Sequence, residues 1–162
     1  MLVQDNNQMS KIFTNITIIN HDDQIHAEYE NISAEQVRSL TLYNVLVSTE
    51  TTILCLPADV IAQLGLRVLK EVNITTARGI KTTRIYRDAT ISLCGREETF
   101  ECLELPEGEN ALLGLMPLEV LGLKLDFKTQ QLKVLPISSM ETYGFKSSVT
   151  SRGATLLGVK SY

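Results

Sequence analysis

The stretch Asn44-Val45-Leu46-Val47-Ser48-Thr49-Glu50-Thr51-Thr52-Ile53-Leu54-Cys55-Leu56-Pro57 constrains this chain more than any other. It reads as an apolar strand that runs into a polar loop and then into a helix start, since β-branched residues and leucines flank the loop and Pro57 suits a first helical position. A second stretch answers it. Ala111-Leu112-Leu113-Gly114-Leu115-Met116-Pro117-Leu118-Glu119-Val120-Leu121-Gly122 also reads as a buried strand, a glycine and a short helix. The two predict one site built from two halves.

The remaining chain is read around them. Residues 1–10 are polar and unpatterned and predict a flexible leader. Residues 11–20 are β-branched and predict a strand, followed by a turn at Asn20-His21-Asp22-Asp23 and a return strand over residues 24–30. Ser33-Ala34-Glu35-Gln36 has capping-box spacing, and residues 37–47 predict a strand. A short helix over residues 58–64 ends at Gly65. Residues 66–75 and 81–93 have strand composition and flank Thr76-Ala77-Arg78-Gly79-Ile80, with Gly79 in the turn. Gly95-Arg96-Glu97-Glu98 reads as a turn before a strand over 99–105, and a last hairpin covers residues 123–127 and 131–135. After Pro136 the chain turns rich in Ser, Thr and Gly, so residues 137–162 predict a flexible tail whose apolar patch is Thr155-Leu156-Leu157-Gly158-Val159.

In the order of these pieces the chain resembles the retropepsin-like aspartic proteases, marked by apolar residues before Asp-Thr-Gly and later by an apolar-apolar-Gly motif that opens a helix. The resemblance covers residues 45–136 and includes Leu56-Pro57, Gln63-Leu64-Gly65-Leu66, Leu113-Gly114 and Leu121-Gly122-Leu123. It implies an all-β chain, a single lobe forming a closed β-barrel with one or two short helices over residues 11–136. It also implies that Ala77, Arg78, Gly79 and Ile80 form the flap over bound peptide, that Leu113 and Gly114 line the same cleft, and that Asp126, in the family's Leu-X-X-Asp-X ending, is structural. Where the family carries Asp-Thr-Gly, this chain carries Ser48-Thr49-Glu50.

That difference decides the chemistry. Aspartic proteases hold two carboxylates so close that they share one proton, and the pair activates water. At 162 residues the chain is too short for two such lobes, so the resemblance implies a homodimer in which each copy supplies one half. Here two copies of Ser48 would meet, and a hydroxyl neither shares that proton nor acts as a general base at ordinary pH. Thr49 keeps the hydroxyl that, in the family, bonds across the dimer axis. Glu50 restores a carboxylate at a position where the family needs glycine. The expectation is an inactive homologue with a peptide-binding or scaffolding role. The alternative is an aspartic endopeptidase whose active parent carries Asp-Thr-Gly at positions 48–50.

Composition narrows the partners. The net charge is −4 with no basic cluster, which argues against nucleic acid and anionic membrane. No apolar run approaches the roughly 20 residues of a membrane span, and the first residues lack a charged-then-apolar signal pattern, so the expected location is cytoplasmic. Cys55, Cys94 and Cys102 lack metal-type spacing and each is expected to be a buried, reduced thiol. His21, Asp22, Asp23 and His26 are expected to form a solvated turn, leaving no metal and no cofactor in the reading.

Overall fold

The computed structural model describes residues 11–136. The leader at 1–10 and the tail at 137–162, including its patch at Leu156 and Leu157, lie outside the described residues. In order the elements are β1 (Ile12–Asn20), α1 (His21–Glu28), a 3-10 turn (Ala34–Gln36), β2 (Ser39–Val47), β3 (Leu54–Pro57) and α2 (Ala58–Leu64). They continue with β4 (Arg67–Thr76), β5 (Gly79–Leu93), β6 (Arg96–Leu105), β7 (Leu112–Leu113), α3 (Leu115–Leu121), β8 (Leu123–Asp126) and β9 (Gln131–Val134). The described chain is mostly β, with three α-helices where one or two were expected.

Seven strands form one sheet in the order β1-β2-β7-β3-β6-β5-β4, and a further pairing of β1 with β5 closes it into a ring. The closure depends on how β5 divides one of its edges. Residues up to Arg87 pair with β4, and residues from Ala89 to Ser92 pair with β1. Between them sits Asp88 at φ +65°, a backbone shape that Asp tolerates better than most side chains. The β5–β6 register shifts at the same place, between Tyr86 and Ala89. This bulge bends β5 away from β4 and delivers its second half to β1.

Inside the ring the alternation is legible residue by residue. Ile12, Ile16 and Ile18 of β1, Val45 and Val47 of β2, Leu54 and Leu56 of β3, and Ile91 and Leu93 of β5 are all buried in one core. Val60, Ile61 and Leu64 add the inner face of α2, which Gly65 ends at φ +65°. β8 and β9 make a separate antiparallel pair. Arg96 clamps it to the rest, donating from one guanidinium to the carbonyls of Leu121, Gly122 and Leu135. The expected turn at residues 95–98 is accordingly shorter, Cys94-Gly95, with Arg96 already in β6.

The expected return strand over residues 24–30 is instead the helix α1, and β1 pairs with β2. The residues read as turn chemistry are a helix start: the Asn20 side chain accepts the Asp23 N–H at 3.0 Å, and Asp22 and Asp23 occupy the first turn, where the helix dipole favours acids. Asp23 is buried, and it accepts the backbone N–H of Arg38 at 3.0 Å together with Nε at 2.8 Å and Nη2 at 3.1 Å. Asn20 Nδ2 donates to the Leu64 carbonyl at 2.7 Å, tying α1 to the end of α2.

The hydrogen bonds from Arg38 hold the Asp23 carboxyl below its ordinary value of 3.8. A depressed folded-state value adds stability that is fully present above the unfolded value and is lost as pH falls through the folded one. Asp23→Asn should therefore lower stability at neutral pH by about 1–3 kcal/mol, the usual cost of breaking a buried charged hydrogen-bond set. In urea melts the gap to the parent should shrink below about pH 4, towards the folded-state value. A gap that stays constant down to strongly acid pH would refute this account of Asp23.

Candidate functional site

The two stretches that dominate the sequence meet through their backbones. β7 is inserted between β2 and β3, parallel to the first (Leu46 opposite Leu112, Val47 opposite Leu113) and antiparallel to the second (Cys55 opposite Leu112). The loop from Ser48 to Ile53 must therefore pass around the end of β7. Three hydrogen bonds fasten it there: Ser48 N–H to the Leu113 carbonyl at 2.9 Å, Leu115 N–H to the Thr51 carbonyl at 3.1 Å, and Met116 N–H to the Thr52 carbonyl at 3.0 Å. The last two use N–H groups of the first turn of α3, which have no partner inside the helix.

Gly114 makes this clasp possible. A Cβ at this position would lie 2.5 Å from the Ile53 nitrogen, the Ile53 oxygen and the Thr52 carbonyl carbon. All three are backbone atoms that no side-chain rotation moves aside. The glycine is required by close approach, since its own backbone is extended at φ −82°, ψ −177°.

Within the loop, Ser48 is half-buried and its Oγ accepts the Glu50 N–H at 3.1 Å. Thr49 and Glu50 are exposed. Cys55 lies behind the loop, its thiol directed at the Ile53 carbonyl at 3.8 Å and near Thr51 Oγ1 at 4.0 Å. Burial pushes this thiol's pKa up, partly offset by the Thr51 contact. Cys102, also buried, is pushed up to about 12 by its desolvation. Neither sulfur is a thiolate nucleophile at neutral pH. The expectation of burial holds for these two; Cys94 is exposed, because it occupies the β5–β6 turn at φ +54°.

Both histidines are engaged elsewhere. His21 Nδ1 lies 3.2 Å from Gln24 Oε1 and 3.3 Å from Thr90 Oγ1, and His26 Nδ1 lies 3.4 Å from Asn31 Nδ2. Among the described residues neither imidazole is hydrogen-bonded to Ser48, so the loop holds no serine–histidine pair. His21 and Asp23 belong to α1, and Asp22 pairs with Arg67 at 3.0 Å. No group of three or more His, Cys, Asp or Glu side chains among the described residues is arranged to hold a metal. No helix among them is long and apolar enough to cross a membrane.

Ala77, Arg78, Gly79 and Ile80 cap the β4–β5 hairpin, and all four are exposed, Ile80 to 73 %. Thr76 organises the turn, donating from Oγ1 to the Gly79 carbonyl at 2.8 Å and accepting the Arg78 N–H at 3.2 Å. β6 pairs with β5 only from Ile85, so beyond that point the hairpin continues as a two-stranded ribbon. Among the described residues no hydrogen bond links its tip to the Ser48–Ile53 loop. The structure thus joins Ser48 to Leu113, and Gly114 to Thr52 and Ile53 of the same loop, and leaves Ala77 to Ile80 at the ribbon end. Asp126 accepts the Lys128 N–H at 3.0 Å and so shapes the β8–β9 turn.

Sequence reasoning missed Thr51, Thr52 and Ile53 as parts of the clasp. They contribute backbone atoms, which leave no mark in residue type. Compared with known proteins, the chain matches no family model and no curated protein.

Gly114→Ala should destabilise the protein by about 1–3 kcal/mol, the usual cost of overpacking. Hydrogen exchange should rise at Leu115 and Met116, whose N–H groups the loop holds. Unchanged exchange at those two amides would show that the loop does not depend on the glycine.

Proposed function

We propose that this chain is a retropepsin-like lobe that no longer hydrolyses peptide bonds and acts, as a homodimer, by holding an extended peptide or protein segment. The observation that carries the reading is the clasp. The loop and the glycine-opened helix that would form the cleft floor are fastened by three backbone hydrogen bonds, while the loop's catalytic position carries the Ser48 hydroxyl. The strand ring supports the finer reading of a closed barrel, and the free β4–β5 ribbon supports a flap at Ala77 to Ile80. Met116 and Val120 on α3 and Ile80 on the ribbon are more than half exposed, apolar surface of the kind a twofold mate covers. The free thiols suit a reducing compartment, and the reading includes a cytoplasmic location.

A second reading is favoured by the bond from the Glu50 N–H to Ser48 Oγ. An aspartate at position 48 would accept the same N–H, because Asp and Ser side chains bond alike to the backbone two residues on. The loop is therefore compatible with an active parent carrying Asp-Thr-Gly at 48–50.

The protein as it stands should show no pepstatin-sensitive cleavage of a peptide library between about pH 3 and 7, because no shared-proton pair exists. Cleavage that is lost in Ser48→Ala would reject the silent reading. If Ser48→Asp combined with Glu50→Gly gains acid-optimal cleavage, the second reading gains ground. Light scattering over a dilution series should report a dimer, and a strict monomer at high micromolar concentration would sink the twofold site.

A further inference from the structure

β4 stands last in the sheet order and pairs with β5 alone, outside the ring that β1 and β5 close. Among the described residues no backbone hydrogen bond reaches its other edge. In an antiparallel pair every second residue of such a strand points its N–H and C=O away from the partner, so this edge offers donors and acceptors in a regular row. The register with β5 shifts only between Val68 and Lys70, and residues 70–76 run without a break. Folded proteins usually cover or bend an edge of that length.

The ribbon that carries this edge also gathers positive charge. Residues 67–87 hold six of the chain's 15 basic residues and only one of its 19 acidic ones, Glu71. No two of the six adjoin in the sequence, and the hairpin folds them onto one another. Two are answered within the chain: Arg67 pairs with Asp22 at 3.0 Å, and Arg84 lies directly opposite Glu71. Lys70 and Lys81 are not. They lie opposite Ile85 and Ile74, both are exposed, and neither has an ion-pair partner among the described residues.

The register places these two lysines on one face. Residues 70, 72 and 74 of β4 point the same way, and Lys81 joins them as the neighbour of Ile74. The row along β4 is thus Lys70, then the half-buried Val72 and Ile74, with Lys81 reaching across Ile74 on its flexible stem. The cations are separated by four residues of strand, about 13 Å. A second copy of β4 would bring its own Lys70 to this edge, the kind of charge that deters self-pairing. A long polyanion suits the ribbon but not the remainder of the chain, where acids outnumber bases two to one.

We propose that the outer edge of β4 binds an acidic peptide segment, which adds as a further strand and sets two carboxylates, four residues apart, against Lys70 and Lys81. Main-chain bonds to the edge hold such a segment, and the two lysines select it. This goes beyond the peptide-holding role of the cleft, because it uses no part of the Ser48 loop.

The test is an NMR titration of the full chain at neutral pH and low salt with the blocked heptapeptide Thr-Glu-Thr-Val-Thr-Glu-Thr. Its counterpart with Lys for both Glu, and decathymidylate, are titrated in parallel. Saturable shifts over residues 70–76 are expected with the acidic peptide alone, with hydrogen exchange slowed at every second amide there. The double variant Lys70→Gln, Lys81→Gln should keep the parent spectrum away from the ribbon and bind about tenfold more weakly, the effect of two exposed ion pairs. Glu50→Gln should bind as the parent does, and weaker binding there would move the peptide to the cleft and overturn the edge site. The proposal also fails if the acidic peptide does not saturate or alternate amides are not protected. Equal binding by the lysine peptide, by decathymidylate or by the double variant would reject it as well.

Discussion

The passage of one backbone over another at Gly114 is the constraint on which the site depends. A loop that rounds the end of an inserted two-residue strand cannot satisfy its carbonyls within its own strand pair. The first-turn N–H groups of α3 satisfy them instead, and this requires a contact too close for any Cβ. The helix start, the loop and the inserted strand therefore form one unit. That unit positions Ser48 and Glu50 whatever chemistry those side chains carry. Substitution of a side chain in this loop leaves these bonds available, because none of the three clasping bonds involves a side chain.

Much of this was legible in the sequence. β-Branched content marked β1, and the helix over residues 58–64 ends at Gly65, as expected, whereas Pro57, read as a first helical position, is the last residue of β3. The pairing of the Ser48 and Gly114 stretches was also readable, because each interrupts an apolar run with residues that suit neither a strand nor a helix interior. What could not be read was set by partners distant in sequence. The turn residues at 20–23 became a helix start because Asn20 caps it and Asp23 finds Arg38, 15 residues on. The polar–apolar alternation of residues 24–30 pointed instead to a strand and gave no warning of that. Cys94 escaped for the opposite reason: its composition suggested burial, but the tight β5–β6 turn decided its exposure.

The electrostatics of the N-terminal helix show how unevenly one charge type can be used. Asp23 is buried and locks α1 to the start of β2 through Arg38, whereas Glu28, about one and a half turns on at the opposite end of the dipole, has no such partner among the described residues. Residues 21–37 carry Asp22, Asp23, Glu28, Glu30 and Glu35 and no lysine or arginine. The cations that balance the first two come from elsewhere in the chain.

The division of β5 at Asp88 also orders the assembly of the chain. Its pairings with β4 and β6 are hairpins between neighbours and close on the microsecond scale typical of such local steps. The pairing with β1 brings together residues as far apart in the chain as Thr17 and Ser92 and must bear the entropy of closing that loop. Until the N-terminal strand arrives, Ala89 to Ser92 present a row of unpaired backbone groups beside a completed β5–β6 hairpin. That short edge, sealed in the finished ring, is where a partly folded copy is most open to pairing with another.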